Sequence, residues 1–247
     1  VRTGLFLRYG LTDRLEIGAE VPGYHRYRGF MEEPIIGVER GTTGISPARK
    51  ALRETAYAFN IANGGRTLFH GTKGATGLGD ISFYGKYQLL KETSTLPALS
   101  FRVGVKAPTG DTDQIFGSGH PDAGIGLALD KTFATGWILY ANLNGVFPTG
   151  QIAGLDLQPV MSGLVAVEYL WTDNFSITAQ FDYYSPPFHG TGTRVLDKGV
   201  TESAIGISYR VLPSLLWQLY GVENLDFITG SAADFTLSTL LTYRMRS

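Results

Sequence analysis

The chain has 247 residues, of which 43% are hydrophobic and only 17% charged, with a net charge of −1 and no cysteine. The balanced charge and the lack of a basic stripe argue against a nucleic-acid partner, and the missing cysteines exclude disulfides and thiolate metal sites. No apolar run reaches the ~18 residues of a spanning helix, yet 13 tyrosines, 14 phenylalanines and three tryptophans need apolar surroundings.

Period-two alternation resolves this conflict. It predicts about eleven strands, near 2–9, 15–27, 79–90, 96–108, 122–133, 137–148, 157–171, 175–185, 199–211, 215–225 and 232–245. In the third, Ile81, Phe83, Gly85, Tyr87 and Leu89 share one face and Asp80, Ser82, Tyr84, Lys86 and Gln88 the other. In the fourth, Leu99, Phe101, Val103, Val105 and Ala107 oppose Ser100, Arg102, Gly104 and Lys106. Such alternation marks a sheet with one apolar face. Most of these strands reach the roughly 9–11 residues of a tilted membrane strand.

The connections alternate in length. Short turns fall at 10–14, 91–95, 134–136, 172–174 and 212–214, and longer links at 28–78, 109–121, 149–156, 186–198 and 226–231. Short periplasmic turns against longer outer loops characterise outer-membrane barrels. The expected fold is therefore all-β: a transmembrane antiparallel up-and-down β-barrel forming one domain over 1–247, with a long outer loop at about 28–78. Eleven strands leave the first and last running the same way. Single-chain barrels have even strand numbers, so the expectation is about twelve strands, one ascending strand preceding Val1. Within the long link, Thr55–Phe69 reads as an extra hairpin, and Ser46-Pro47 opens a short helix over 46–54.

Alternation places Arg8, Glu16, Glu20, Asp80, Lys86, Arg102, Lys106, Asp130, Glu168, Asp182, Glu202, Arg210 and Arg244 on the inner face. Charges inside a narrow barrel must pair or meet water. They read either as a bracing salt-bridge network or as a polar conduit, and their mixed signs argue against strong ion selectivity. The four histidines, His25, His70, His120 and His189, show no metal-ligand spacing. Ser185/His189 and Ser118/His120 are the nearest nucleophile–base pairs, and neither has an orienting third group in sequence. Gly117-Ser118-Gly119 and Pro108-Thr109-Gly110-Asp111 lie between strands and read as turns rather than phosphate loops. No cofactor and no metal is expected.

Tyr9, Phe133, Trp137, Tyr169, Trp171, Phe175, Trp217 and Tyr243 fall near the short-turn ends, as an aromatic girdle at the membrane interface does. Leu237, Thr239, Leu241, Tyr243 and Met245 share one face of the last strand. They look like the terminal signal read by the barrel-assembly machinery, with Met245 in place of the usual final Phe.

Five runs carry a family resemblance: Asn63-Gly64-Gly65-Arg66-Thr67-Leu68, Thr76-Gly77-Leu78-Gly79-Asp80, Lys106-Ala107-Pro108-Thr109-Gly110-Asp111, Gly117-Ser118-Gly119 and Asp234-Phe235-Thr236-Leu237. They resemble an uncharacterised family of bacterial outer-membrane barrels, a domain of unknown function. It is distantly similar to the barrel proteins of the meta-pathway of phenol degradation. The resemblance implies an outer-membrane barrel and brings no catalytic residues. The phenol-pathway relatives imply uptake of small hydrophobic compounds.

Three functions follow as expectations. The leading one is a narrow channel for small, partly apolar solutes. A scaffolding barrel that holds a periplasmic or surface partner is the alternative, and a lipid-modifying enzyme comes third. Expected partners are outer-membrane lipid, the assembly machinery during biogenesis and a small-molecule solute.

Overall fold

The computed structural model describes residues 1–27, 32–42, 44–45, 59–63, 66–71, 74–133, 135–152, 155–192, 194–225 and 235–245. Its strands are β1 (Arg2–Gly10), β2 (Leu15–Arg26), β3 (Phe59–Asn63), β4 (Arg66–Gly71), β5 (Ala75–Leu78), β6 (Ile81–Leu90), β7 (Ala98–Ala107), β8 (Asp122–Thr132), β9 (Trp137–Pro148), β10 (Gln151–Ile152), β11 (Leu155–Asp156), β12 (Val160–Thr172), β13 (Phe175–Tyr184), β14 (Val200–Leu212), β15 (Leu215–Asn224) and β16 (Phe235–Tyr243). Helix α1 spans Glu32–Gly41, and a single helical turn, α2, spans Arg194–Asp197.

Eleven long strands pair with their neighbours in the order β1-β2-β6-β7-β8-β9-β12-β13-β14-β15-β16, every pair antiparallel. This is the up-and-down outer-membrane barrel sheet that the alternation predicts. Strands β1 and β16 are its two edges, and no backbone pairing joins them among the described residues. The short β5 pairs with the outer end of β2, ahead of β6. The predicted third strand therefore begins earlier than residue 79. It is interrupted at Gly79-Asp80, where the Gly79 amide donates to Pro22 O at 2.8 Å.

The register carries one face around the sheet. Glu16, Lys86, Arg102, Gly126, Asn144, Ser162 and Tyr184 form a continuous row on the inside. One residue along, Ile17, Gly85, Val103, Ile125, Gly145 and Met161 form a row on the outside. The exposure pattern is inverted relative to a globule. Val103, Ile125 and Met161 are about half exposed, while Ser176, Thr178 and Ser208 are buried. Lipid is the solvent that makes this stable, because the strands between the two edges are paired on both sides and the outward side chains are apolar.

The short turns share a device. Thr12, Thr93 and Thr172 each accept, on the side-chain oxygen, the amide three residues on, at 3.0, 2.9 and 3.0 Å. Three of the hairpins add a register shift beside the turn, at Gln88/Leu90, Leu170/Thr172 and Arg210/Leu212. Such bulges bend and twist a strand, and they flip the face of whatever lies beyond them. Trp171, the bulged residue of β12, stands 67% exposed and meets Tyr169 edge-on at 6.1 Å; Tyr169 also touches Trp137 at 4.7 Å. The girdle therefore gathers at the short-turn end.

The long link departs from expectation in one respect. The anticipated hairpin is present as β3–β4. The helix at 46–54 lies outside the described residues. The helix observed is α1, which the sequence reading missed because Pro34 and two glycines, Gly37 and Gly41, weaken its propensity. The links 149–156 and 186–198 also contain a small hairpin, β10–β11, and α2.

Candidate functional site, the lumen and its outer mouth

The inner wall divides into two parts. On β1–β9 acids and bases stand together, and several of them pair. Glu20 meets Arg2 in an ion pair, and Lys86 Nζ lies 3.7 Å from Glu16 Oε1. Arg102 donates to Asn144 Oδ1 at 2.8 Å and Asn142 Oδ1 at 3.2 Å. Its Cα partner is Gly126, and the missing side chain there leaves room for Asn144. Asp130 lies in register between Ala98 and Tyr140. Arg8 faces Gly18 across the β1–β2 ladder.

At the outer end of this wall lies the tightest cluster. Lys106 Nζ sits 2.8 Å from Asp80 Oδ2, 2.6 Å from Asp122 Oδ2 and 2.6 Å from Ser118 Oγ. Asp80 also accepts the Gly110 amide at 2.9 Å and the Ser118 amide at 3.0 Å. It thereby pins both limbs of the loop 108–121 to the wall. Thr109 Oγ1 completes the seam, accepting from the Ile81 amide and donating to Gly79 O. A Cβ on Gly110 would lie 2.8 Å from Gly117 Cα, so the limbs cross where only glycine lets backbones approach. The Gly-Leu-Gly-Asp run and the Pro-Thr-Gly-Asp and Gly-Ser-Gly runs read as turns converge here.

The loop tip turns inward. Phe116, 7% exposed, stacks on Tyr24 at 5.5 Å and 14°, and the Arg26 guanidinium lies 4.9 Å from its ring centre. To reach this pose Ile115 adopts φ 54°, which a β-branched residue rarely does. A cavity of about 330 Å³ touches Arg2, Glu20, Asp80, Lys106 and Phe116 below the loop. A second, of about 450 Å³, lies against Arg8, Glu16, Lys86, Arg102 and Asn144 deeper in the barrel.

Asp80 lies at the outer rim, just ahead of β6. Burial pushes its carboxyl up, but the hydrogen bond from Lys106, the Ser118 and Gly110 amides and the Lys106 charge outweigh burial. They hold it below the usual carboxylate range.

On β12–β15 the inner acids have no cation partner among the described residues. Glu168 accepts from Tyr140 Oη at 2.7 Å and from Ser176 Oγ. Asp182 accepts from Gln180 Nε2 at 2.7 Å and is the direct Cα partner of Glu202. Glu202 in turn faces Asn224. The remaining two predicted positions sit at the short-turn end. Arg210 pairs in register with Leu216, and Arg244 follows β16, its amide donating to Ser214 O at 2.8 Å.

The sequence reading overlooked Asp122, Arg2, Asn142, Asn144 and Asn224. Asp122 was legible, since it stands eight residues before Asp130 on the same face. Neither candidate nucleophile is set up for attack. Ser118 Oγ is bound to Lys106 and donates to the His120 carbonyl at 3.0 Å. Ser185 Oγ accepts the Met161 amide at 2.9 Å. Among the described residues no cluster of three or more His, Asp or Glu is spaced to hold a metal.

Among solved structures, the COG4313 outer membrane channel from Pseudomonas putida F1 aligns with a TM-score of 0.64 and 14% identity, over 98% of this chain and 81% of that one. The Pseudomonas putida toluene transporter TodX aligns with a TM-score of 0.39 and 12% identity, over 90% and 62% of the two chains. The CymD monoaromatic hydrocarbon channel aligns at 0.40 and 12%, over 98% and 72%. The first supports the fold, an antiparallel up-and-down β-barrel. No curated protein matches the sequence. The family model described as a protein of unknown function, DUF3187, matches residues 1–245, and the chain belongs to that family.

Proposed function

We propose that the protein is a narrow outer-membrane channel for small molecules, with the loop 108–121 restricting its outer mouth. The observation that carries this reading is the clasp at Asp80, Lys106 and Asp122, which holds a loop inward over a polar wall. A barrel needing only rigidity has its backbone ladder for that. Fastening a loop across the mouth serves passage, because it sets the width and chemistry of the opening. Phe116 and Tyr24 place aromatic surface beside the charges of Arg2 and Glu20. That mixture favours solutes with both an apolar body and a polar group.

The purified barrel reconstituted in planar bilayers should give a small steady conductance, and proteoliposomes should swell in small neutral solutes. Deleting 111–119 should raise both several-fold. Absence of conductance and of swelling, in the intact and in the loop-deleted protein, would overturn the reading.

A further inference from the structure

We infer that Asp182, Glu202 and Asn224 form a binding site for a hard divalent cation at the outer end of the lumen. This goes beyond the channel reading and does not depend on it. The three residues are consecutive Cα partners across β13, β14 and β15, and all stand on the inner face. That face is fixed independently by Gln180, which bonds Asp182, and by Gln218, which bonds Ser208 and Tyr220 in the same wall.

Two features of this row are unexplained without a cation. Asp182 and Glu202 are like charges directly opposite one another, an arrangement that destabilises a sheet. Among the described residues no lysine or arginine pairs with either one, whereas on the facing wall Lys106 alone serves two aspartates. Asn224 is only 7% exposed, and its Oδ1 has no hydrogen-bond partner. A buried amide oxygen left unpaired is uncommon and calls for a reason. An unsatisfied oxygen acceptor facing Glu202, itself opposite Asp182, continues a row of oxygen ligands of the kind a hard cation uses. Two carboxylates and one amide oxygen leave the remaining positions of Ca²⁺ to water, so the site is one of modest affinity. The side-chain neighbours are otherwise neutral: Leu164 and Tyr184 beside Asp182, Val200 and Ala204 beside Glu202, and Val222 beside Asn224.

Tyr184, two residues from Asp182 on the same face, allows a direct test by terbium luminescence. Detergent-solubilised full-length barrel, freed of metal with a chelator, should show saturable Tb³⁺ emission on tyrosine excitation, reversed by Ca²⁺. The double variant Asp182→Asn, Glu202→Gln should weaken Tb³⁺ binding at least about tenfold, since affinity follows ligand charge. Asn224→Ala should weaken it several-fold, and Glu168→Gln should leave it unchanged. Retention of the folded, heat-modifiable band on gels verifies that each variant is a barrel. Ca²⁺ should also raise the melting temperature of the wild type and not of the double variant. Tb³⁺ emission that is absent, or equally strong in the double variant, overturns the inference whether or not the protein conducts.

Discussion

The two halves of the lumen solve the same problem differently. On β1–β9, inward acids lie beside bases, and the outer end is closed by Lys106 held between Asp80 and Asp122. On β12–β15, inward acids are satisfied by hydroxyls and amides, as Glu168 is by Tyr140 and Ser176, or face one another, as Asp182 and Glu202 do. The first wall spends its charges on shape, fixing a loop and its cavities. The second leaves its charges available. A charge-balanced composition thus conceals a lumen in which, among the described residues, acids and bases mix on one side and acids predominate on the other.

Removing the clasp should break this contrast most. Lys106→Met leaves Asp80 and Asp122 close together without their shared cation and should cost about 2–3 kcal/mol, toward the low end for a lost buried partner because the ammonium is partly exposed. Urea unfolding in lipid would measure it, and channel conductance should rise in parallel.

Acid should do the same reversibly. The Asp80 pKa is lowered in the folded protein, so its contribution is fully present above the ordinary carboxylate value of about 4. It is lost as pH falls through the depressed folded value. Conductance of the wild type should therefore climb only in strong acid. Asp80→Asn should be open already and flat across the same range.

Relaxing the loop tip acts in the opposite direction. Ile115→Gly removes the strain of a positive φ and should stabilise by about 1 kcal/mol, visible as a higher unfolding midpoint with the loop still closed.

The smallest effect belongs to the acidic wall and sharpens the comparison by its sign. Without divalent cation, Asp182→Asn should stabilise by about 0.5 kcal/mol, because it relieves a like-charge pair. Neutralising Lys106 destabilises. If both substitutions cost stability, the two walls are not different in kind.

Much of the fold was legible because a barrel writes a period of two into nearly every strand. The alternation of Ile81, Phe83 and Tyr87 with Ser82, Tyr84 and Lys86 settles which face meets lipid. Pairing partners were not legible, since they depend on turn geometry. The shifts beside Leu89, Trp171 and Val211 arise from where bulges sit, which no local pattern announces. The alternation puts Asp80 on the inner face, but its role comes from residues 26 to 42 positions away. They reach it through the Ile81–Ala107 and Lys106–Asp122 registers. The glycines of that region signalled turns. What they permit is two loop limbs crossing at contact distance, a tertiary fact.

The clasp also has a place in time. Its three charged members come from the outer ends of three successive strands, β6, β7 and β8, and each must cross the bilayer before they can meet. The threonine-capped turns at the opposite end need only local chain. Hairpins can therefore form early, while the fastening at the mouth should form last, which φ-values near zero at Lys106 would check. Interactions of that kind leave the rate of insertion almost untouched and act on the rate of escape from the finished barrel. The cluster at Lys106 then determines how long the barrel persists once assembled.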